Sequence, residues 1–157
     1  MSHAYDEGLR LLARRALTRR EVVARLTQRG HAAADVMDAV LRMEKEAAID
    51  DDALARHWIA TQALPRGRGR ERALSELEAR GVDREIASSA WSAAVDDGVV
   101  NDTALITRAV RRRLGPAPGR PNPGRLARVY NALLSEGFAR EQVVSALAPY
   151  GFEGMDE

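Results

Sequence analysis

Apolar side chains recur along most of the chain at the three- and four-residue spacing that places them on one face of a helix. Residues 5–16 show the pattern with Leu9, Leu12 and Ala16, and residues 100–114 show it again. No stretch of the sequence has the sustained alternation of apolar and polar residues that is typical of a strand. The pattern predicts about nine amphipathic helices and an all-α fold.

A short sequence unit occurs three times, centred on Gly30, Gly81 and Gly137. Each glycine has leucine four residues before it and alanine nine residues after it, and the tenth residue after it is always apolar. Asp51 and Asp102 both lie 21 residues beyond the glycine of their unit. Matches at fixed offsets over this length indicate an internal repeat, so we expect tandem three-helix repeats.

The repeat divides the chain into three predicted modules of three helices each. We place them at residues 4–48, 49–99 and 100–151. A module of about fifty residues buries only a small core, which packing against its neighbours would complete. Residues 115–124 are rich in proline and glycine and cannot be helical throughout, so they are predicted to form a linker within the third module.

Some residues of the unit have predictable structural roles. Glycine after a helix adopts the left-handed conformation without a steric clash, so we expect the three repeat glycines to end helices at positive φ. Asp51 and Asp102 lie where the next helix needs an N-cap, and this favours capping over metal binding for the run Asp50–Asp52. Trp58 and Trp91 occupy apolar positions, and we expect both to be mostly buried.

Composition excludes several classes of protein. The chain has no cysteine, and therefore neither a disulfide framework nor a thiolate metal site. Its three histidines are scattered, and no nucleophile–base pair is apparent. It begins without an apolar leader, and no apolar run is long enough to span a membrane. We therefore expect a soluble cytoplasmic protein that is not an enzyme and that has no catalytic residues, cofactor or metal.

Charge follows the repeat, although the net charge is only +1. Residues 5–29 carry seven arginines against three acids, whereas residues 35–52 carry two basic and seven acidic groups, and the later modules alternate likewise. Either these faces complement each other, or the basic strips line one side of the array and suit an acidic partner or a phosphate backbone. The candidate partner-binding residues are exposed arginines: Arg66, Arg68, Arg70, Arg72, Arg111, Arg112, Arg113, Arg125 and Arg128.

These motifs resemble the RecX family over about residues 4–150. The residues that carry the resemblance are Leu26, Arg29-Gly30, Ile49-Asp50-Asp51, Leu54-Ala55-Arg56, Trp58-Ile59, Gly69, Leu74, Leu77, Arg80-Gly81-Val82, Glu85-Ile86, Ala90, Gly137-Phe138, Val143 and Leu147. The resemblance implies a bacterial cytoplasmic regulator of the RecA recombinase, elongated and curved, that lodges in the groove of the RecA–DNA filament. There it would suppress ATPase, strand exchange and coprotease activities, with a role in DNA repair, homologous recombination and the SOS response.

The chain departs from the family pattern at Glu136, which replaces the arginine before the other two glycines, and in its long linker. The alternative function is direct DNA binding, with tri-helical modules on the phosphate backbone. The helix face formed by residues 83–94 is acidic and small, which weighs against base readout by a recognition helix. A structural protein with no partner is a third possibility. Capping of filament ends and groove filling both stay open, and we expect a monomer because no apolar heptad is evident.

Overall fold

The computed structural model describes residues 3–154, which are all-α. Nine α-helices follow one another within this range, and no strand occurs there. Their bounds are α1 (His3–Arg14), α2 (Arg19–Gln28), α3 (Ala33–Lys45), α4 (Asp51–Trp58), α5 (Arg70–Ala79), α6 (Arg84–Asp96), α7 (Asp102–Leu114), α8 (Pro123–Ser135) and α9 (Arg140–Leu147). The predicted helix count and all-α class are confirmed.

Two irregular segments extend the helices, and one segment interrupts them. Helix α4 continues as a π-helical turn over Ile59–Ala63, whose first and last side chains are buried. Helix α9 continues as a 3₁₀ turn over Ala148–Tyr150. Residues 115–122 join α7 to α8 without regular helix, as the proline and glycine content predicts.

The chain forms two compact units. The first comprises residues 3–57 and 76–90, and the second comprises residues 58–75 and 91–154. In the first unit α1, α2 and α3 pack around a core that includes Leu26, Val40 and Met43. In the second unit α7, α8 and α9 pack around a core that includes Leu133 and Val143. Each unit therefore contains one three-helix bundle, while the module bounds at residues 48 and 99 stay a prediction.

All three repeat glycines end a helix at positive φ, as expected. The angles are 89° at Gly30, 101° at Gly81 and 96° at Gly137. In each turn the residue after the glycine donates its N–H to the carbonyl of the leucine four residues before the glycine, at 3.0–3.3 Å. The glycine N–H bonds to the carbonyl three residues before it. This pair of bonds is the Schellman motif, and it explains why the unit needs both residue types at this spacing.

The predicted caps are wrong by one residue. Asp50 Oδ1 accepts from the N–H of Ala53 at 3.0 Å, and Asn101 Oδ1 accepts from the N–H of Ala104 at 2.9 Å. Asp51 and Asp102 are instead the first residues of α4 and α7. A carboxylate at this position still faces the positive end of the helix, but it is free to bond to another helix.

The two tryptophans differ in burial. Trp91 is 2% exposed, so its predicted core position is confirmed. Trp58 is only partly buried, at the end of α4 where the π-helical turn begins. The π-helical turn itself starts after Trp58, and its first residue, Ile59, is buried.

One contact between helices occurs in both units. In the first unit Thr18 Oγ1, at the start of α2, donates to the carbonyl of Arg80 at 2.7 Å. In the second unit the N–H of Gly69, at the start of α5, donates to the carbonyl of Glu136 at 2.7 Å. Both donors lie twelve residues before the glycine of their own repeat, and both acceptors come directly before the glycine of the next repeat. The repeat therefore extends to the contacts between helices.

Charged groups reinforce the contact in the first unit. Thr18 and Glu21 form a capping box at the start of α2. The Glu21 carboxylate also accepts from Arg80 Nη2 at 2.8 Å, and Arg20 Nη2 donates to the carbonyl of Ala79 at 2.9 Å. The start of α2 and the end of α5 are consequently joined by side-chain bonds as well as by the threonine–carbonyl bond.

Close approach is a second reason for glycine at two of the three turns. A Cβ atom at Gly81 would lie 2.5 Å from Cβ of Arg20, and one at Gly137 would lie 2.3 Å from the backbone nitrogen of Arg72. At Gly30 a Cβ atom would meet nothing within 4 Å. Gly30 is therefore required by its φ angle alone, whereas Gly81 and Gly137 also let neighbouring helices approach.

Alanine substitution separates these two requirements. Gly30→Ala should lower the free energy of unfolding by about 1–2 kcal/mol, which is the cost of a left-handed non-glycine residue. Gly137→Ala should cost more, because its Cβ meets backbone atoms that cannot rotate away. Urea denaturation of both variants measures the difference, and equal losses would contradict the close-approach argument.

Candidate functional site

All nine candidate arginines lie in the second unit, but only five of them have exposed side chains. The exposed residues are Arg66, Arg111, Arg112, Arg125 and Arg128. The expectation of full exposure is wrong for the other four, which are partly buried: Arg68, Arg70, Arg72 and Arg113. Their positions in the fold explain the difference.

Arg113 is held inside the bundle of the second unit by Glu136. Its guanidinium pairs with that carboxylate, and the two side chains are 27% and 17% exposed. It also donates to the carbonyl of Ala109 at 3.2 Å. In the first unit Arg29, at the position equivalent to Glu136, pairs with Glu7 of α1. An ion pair thus joins α1 to the end of α2 and α7 to the end of α8, with the positions of the cation and the carboxylate exchanged.

Exchange of the two charges explains why Glu136 departs from the family pattern. The His31 ring and then the Arg29 guanidinium hold the pKa of Glu7 below its usual range in the first unit. In the second unit the cation is Arg113 on α7, and the carboxylate is Glu136, directly before Gly137. Glu136 therefore has a structural partner, and Arg113 is a poor candidate for partner binding.

Arg70 also occupies a repeated structural position. Arg19 and Arg70 both lie eleven residues before the glycine of their repeat. The N–H of Arg19 donates to Asp51 Oδ1 at 2.9 Å. Burial raises the pKa of Asp51, and this hydrogen bond opposes the rise. Burial likewise raises the pKa of Asp102, and the charge of Arg70 opposes the rise. The repeated aspartates therefore face the start of the preceding second helix.

Contacts of Arg112 and Arg125 connect the loop before α5 and the start of α8 to the end of α7. A Cβ atom at Gly67 would lie 3.2 Å from a guanidinium nitrogen of Arg112, so the loop before α5 lies beside the last turn of α7. Arg125 Nη2 donates to the carbonyl of Arg113 at 2.6 Å, which joins the start of α8 to the same turn. We call this set of exposed side chains the arginine surface: Arg66, Arg111, Arg112, Arg125 and Arg128.

The run Arg111–Arg113 has a local role as well. The last turn of α7 presents carbonyl groups at the negative end of the helix, where cations are stabilising. That effect requires charge near the helix end but does not require Arg66 in a loop beside it. The juxtaposition of loop and helix end is therefore the feature that points to a partner.

Arg108, which is not among the predicted partner-binding residues, is exposed on α7 one turn before Arg111. Helical spacing of Arg108 and Arg111 could have identified it. The aspartate run borders a depression of about 410 Å³ that also contains Arg19. Within residues 3–154 no cluster of three or more histidine or acidic side chains is placed to hold a metal ion. No helix described there is long and apolar enough to cross a membrane.

A charge swap tests the role of the Arg113–Glu136 pair. Arg113→Glu and Glu136→Arg should each destabilise the chain by about 1–2 kcal/mol, because each leaves two like charges partly buried. The double variant restores opposite charges and should recover most of the loss. Urea unfolding of the complete double-mutant cycle gives the coupling energy. Additive losses in the double variant would show that the two side chains act separately.

Comparison with known proteins of similar sequence and fold identifies the family of the chain. Residues 4–43 match the family model "RecX, first three-helix domain". The "Regulatory protein RecX" of Chromohalobacter salexigens is 35% identical over 91% of this chain and 90% of that protein. The "Regulatory protein RecX" of Mycobacterium sp. (strain KMS) is 39% identical over 72% of this chain. The alignment spans 59% of that longer relative.

A solved structure agrees with the sequence comparison. The crystal structure of RecX from Lactobacillus salivarius superposes with a TM-score of 0.77 over 96% of both chains, at 18% sequence identity. At 18% identity the superposition supports only the fold of tandem three-helix modules. The family assignment rests on the Chromohalobacter relative. The chain belongs to the RecX family of regulatory proteins.

Proposed function

We propose that this chain regulates the RecA recombinase by binding the RecA–DNA filament and lodging in its helical groove. Bound there, it suppresses ATPase, strand exchange and coprotease activities. Support comes from family membership, since the relatives are named regulatory proteins, and from the RecA partner that the family resemblance implies. The protein acts by binding rather than by catalysis, in the cytoplasm and as a monomer.

The arginine surface is the observation that carries the proposal. Arg66 lies in a loop beside the end of α7, where Arg111 and Arg112 are exposed. A nucleoprotein filament offers acidic protein surface and DNA phosphate together, and guanidinium groups bind carboxylates and phosphates in the same bidentate geometry. Exposed cations of this kind also accelerate encounter with a negatively charged partner.

The proposed modules give the surface more than one point of contact. Three similar modules at residues 4–48, 49–99 and 100–151 would engage successive positions of a helical filament. Linked contacts raise the effective concentration of the second and third binding events, so a weak contact in each module suffices for tight binding overall. Filament binding by this route needs no deep pocket and no catalytic group.

Direct DNA binding is the alternative, because exposed guanidinium groups contact phosphate without any protein partner. Arg111, Arg112 and Arg128 are available for such contacts. The exposed residues of α6 include Glu85 and Asp96, and Asp83 lies directly before the helix; all three would repel a phosphate backbone. The acidic character of this helix favours the filament proposal over insertion of α6 into a groove of DNA.

Charge reversal on the arginine surface tests the proposal. Arg66→Glu with Arg112→Glu should weaken inhibition of RecA ATPase by about tenfold or more, mainly through slower association. Both side chains are exposed, so the melting temperature should change little. The matched control is Arg10→Glu with Arg14→Glu on α1, which makes the same change of net charge on exposed residues elsewhere.

Two results would count against this role. If the Arg66/Arg112 variant folds and still inhibits at the wild-type concentration, the arginine surface is a solvated face without a partner. If the α1 control loses as much inhibition, net charge rather than this surface governs binding.

A further inference from the structure

A groove runs along the exposed face of α7, next to the arginine surface. Two adjoining depressions of about 560 and 480 Å³ form it. They share Asn101, Ala104 and Arg108 as walls, and the second extends to Arg111. We call the two depressions together the α7 groove. All of its lining residues belong to the second compact unit.

The floor of the larger depression is apolar, whereas the smaller depression is lined by Thr103 and Thr107 beside the shared residues and Arg111. The larger depression is lined by Leu64, Pro65, Val99 and Leu105 beside the shared Ala104. Val99 is 53% exposed, which leaves a branched apolar side chain in solvent. Ala104 is exposed as well, and its small side chain lets another backbone approach α7 closely. Burial of this floor against a partner would be favourable, because apolar area would leave water.

The rim of the α7 groove is basic. Arg108 and Arg111 are exposed, three residues apart on one helix face, and neither guanidinium group has a hydrogen bond or ion pair among the residues that the structure describes. By contrast, Arg113 in the last turn of α7 and Arg125 at the start of α8 bond to carbonyl groups of the chain itself. No aspartate or glutamate lines either depression. Two cations are thus left without a counter-charge at the edge of an apolar floor.

We propose that the α7 groove binds an acidic amphipathic helix of a partner protein. Apolar side chains of that helix cover Val99 and Ala104, and carboxylates about one turn apart pair with Arg108 and Arg111. An amphipathic helix in an apolar groove is a common mode of peptide recognition. A phosphate backbone would satisfy the arginines but would leave the apolar floor unburied, so the floor favours a protein helix over nucleic acid.

This inference goes beyond filament binding through Arg66 and Arg112, and it holds whichever protein supplies the helix. The groove and the arginine surface share Arg111 but not the apolar floor. Variants at Val99 and Arg108 therefore report on the groove, and variants at Arg66 and Arg112 report on the proposed function.

The probe is a fluorescein-labelled synthetic peptide of about five helical turns, with leucine on one face and glutamate on the two flanks. A peptide of the same composition in scrambled order, which lacks an apolar face, is the control. An oligothymidylate of similar charge tests nucleic acid. Anisotropy titrations of the full chain should show saturable binding of the ordered peptide at micromolar concentration and much weaker binding of the scrambled peptide.

Two variants should weaken the ordered peptide for different reasons. Arg108→Ala with Arg111→Ala should lower affinity by about tenfold, and Val99→Ser should lower it several-fold, since central apolar and arginine contacts dominate such interfaces. Both changes are at exposed positions, and circular dichroism checks that each variant is folded. The matched control, Arg10→Ala with Arg14→Ala on α1, should bind as the wild type does.

Four results overturn the inference. The ordered peptide does not bind at all, or the two peptides bind equally, which shows attraction by charge alone. In the third result, oligothymidylate binding depends on Arg108 and Arg111 and is indifferent to Val99→Ser, which identifies a phosphate site. In the fourth result, the Val99→Ser variant binds the ordered peptide as tightly as the wild type does, which shows that the apolar floor makes no contact with the peptide.

Discussion

The glycine turn after the second helix of each repeat is the constraint on which the packing depends. It closes a Schellman motif within its own helix pair, and at Gly81 and Gly137 it also lies against the start of another helix. A Cβ atom at Gly69 would lie 2.6 Å from the carbonyl carbon of Gly137, so backbone meets backbone without side chains between them. Packing this close tolerates very little displacement, because interiors respond to even small added groups.

The proposed binding function depends on this backbone contact, because the contact holds the loop that carries Arg66. The N–H groups of Gly69 and Glu71 both donate to carbonyls of the α8 turn, at 2.7 and 3.1 Å. The loop that carries Arg66 is thereby fixed at one end within the second unit. Gly67 in this loop lies beside the guanidinium group of Arg112, which extends from the last turn of α7. A protein that binds through exposed charges gains from such preorganisation, because fewer side-chain and loop rearrangements oppose binding.

Local patterns in the sequence were sufficient to predict the helices and the glycine turns, because apolar spacing and positive φ are properties of neighbouring residues. Pairings over long distances were not predictable in this way. Arg113 looks like its neighbours Arg111 and Arg112 in the sequence, and only the approach of α8 to α7 gives it Glu136 as a partner. The role of Asp51 was likewise hidden, since its bond is to Arg19 in α2 rather than to its own helix.

The central claim is that the partner is a nucleoprotein filament rather than DNA alone. Equilibrium titration of the wild-type chain against RecA filaments and against bare single-stranded DNA, at two salt concentrations, tests it most directly. We expect the chain to bind the filament about tenfold more tightly, or better, than bare DNA at both salt concentrations. Raising the salt concentration should lower the affinity for the filament less than the affinity for bare DNA. Equal affinity for both targets, with the same dependence on salt, would contradict the account and identify a phosphate-binding protein.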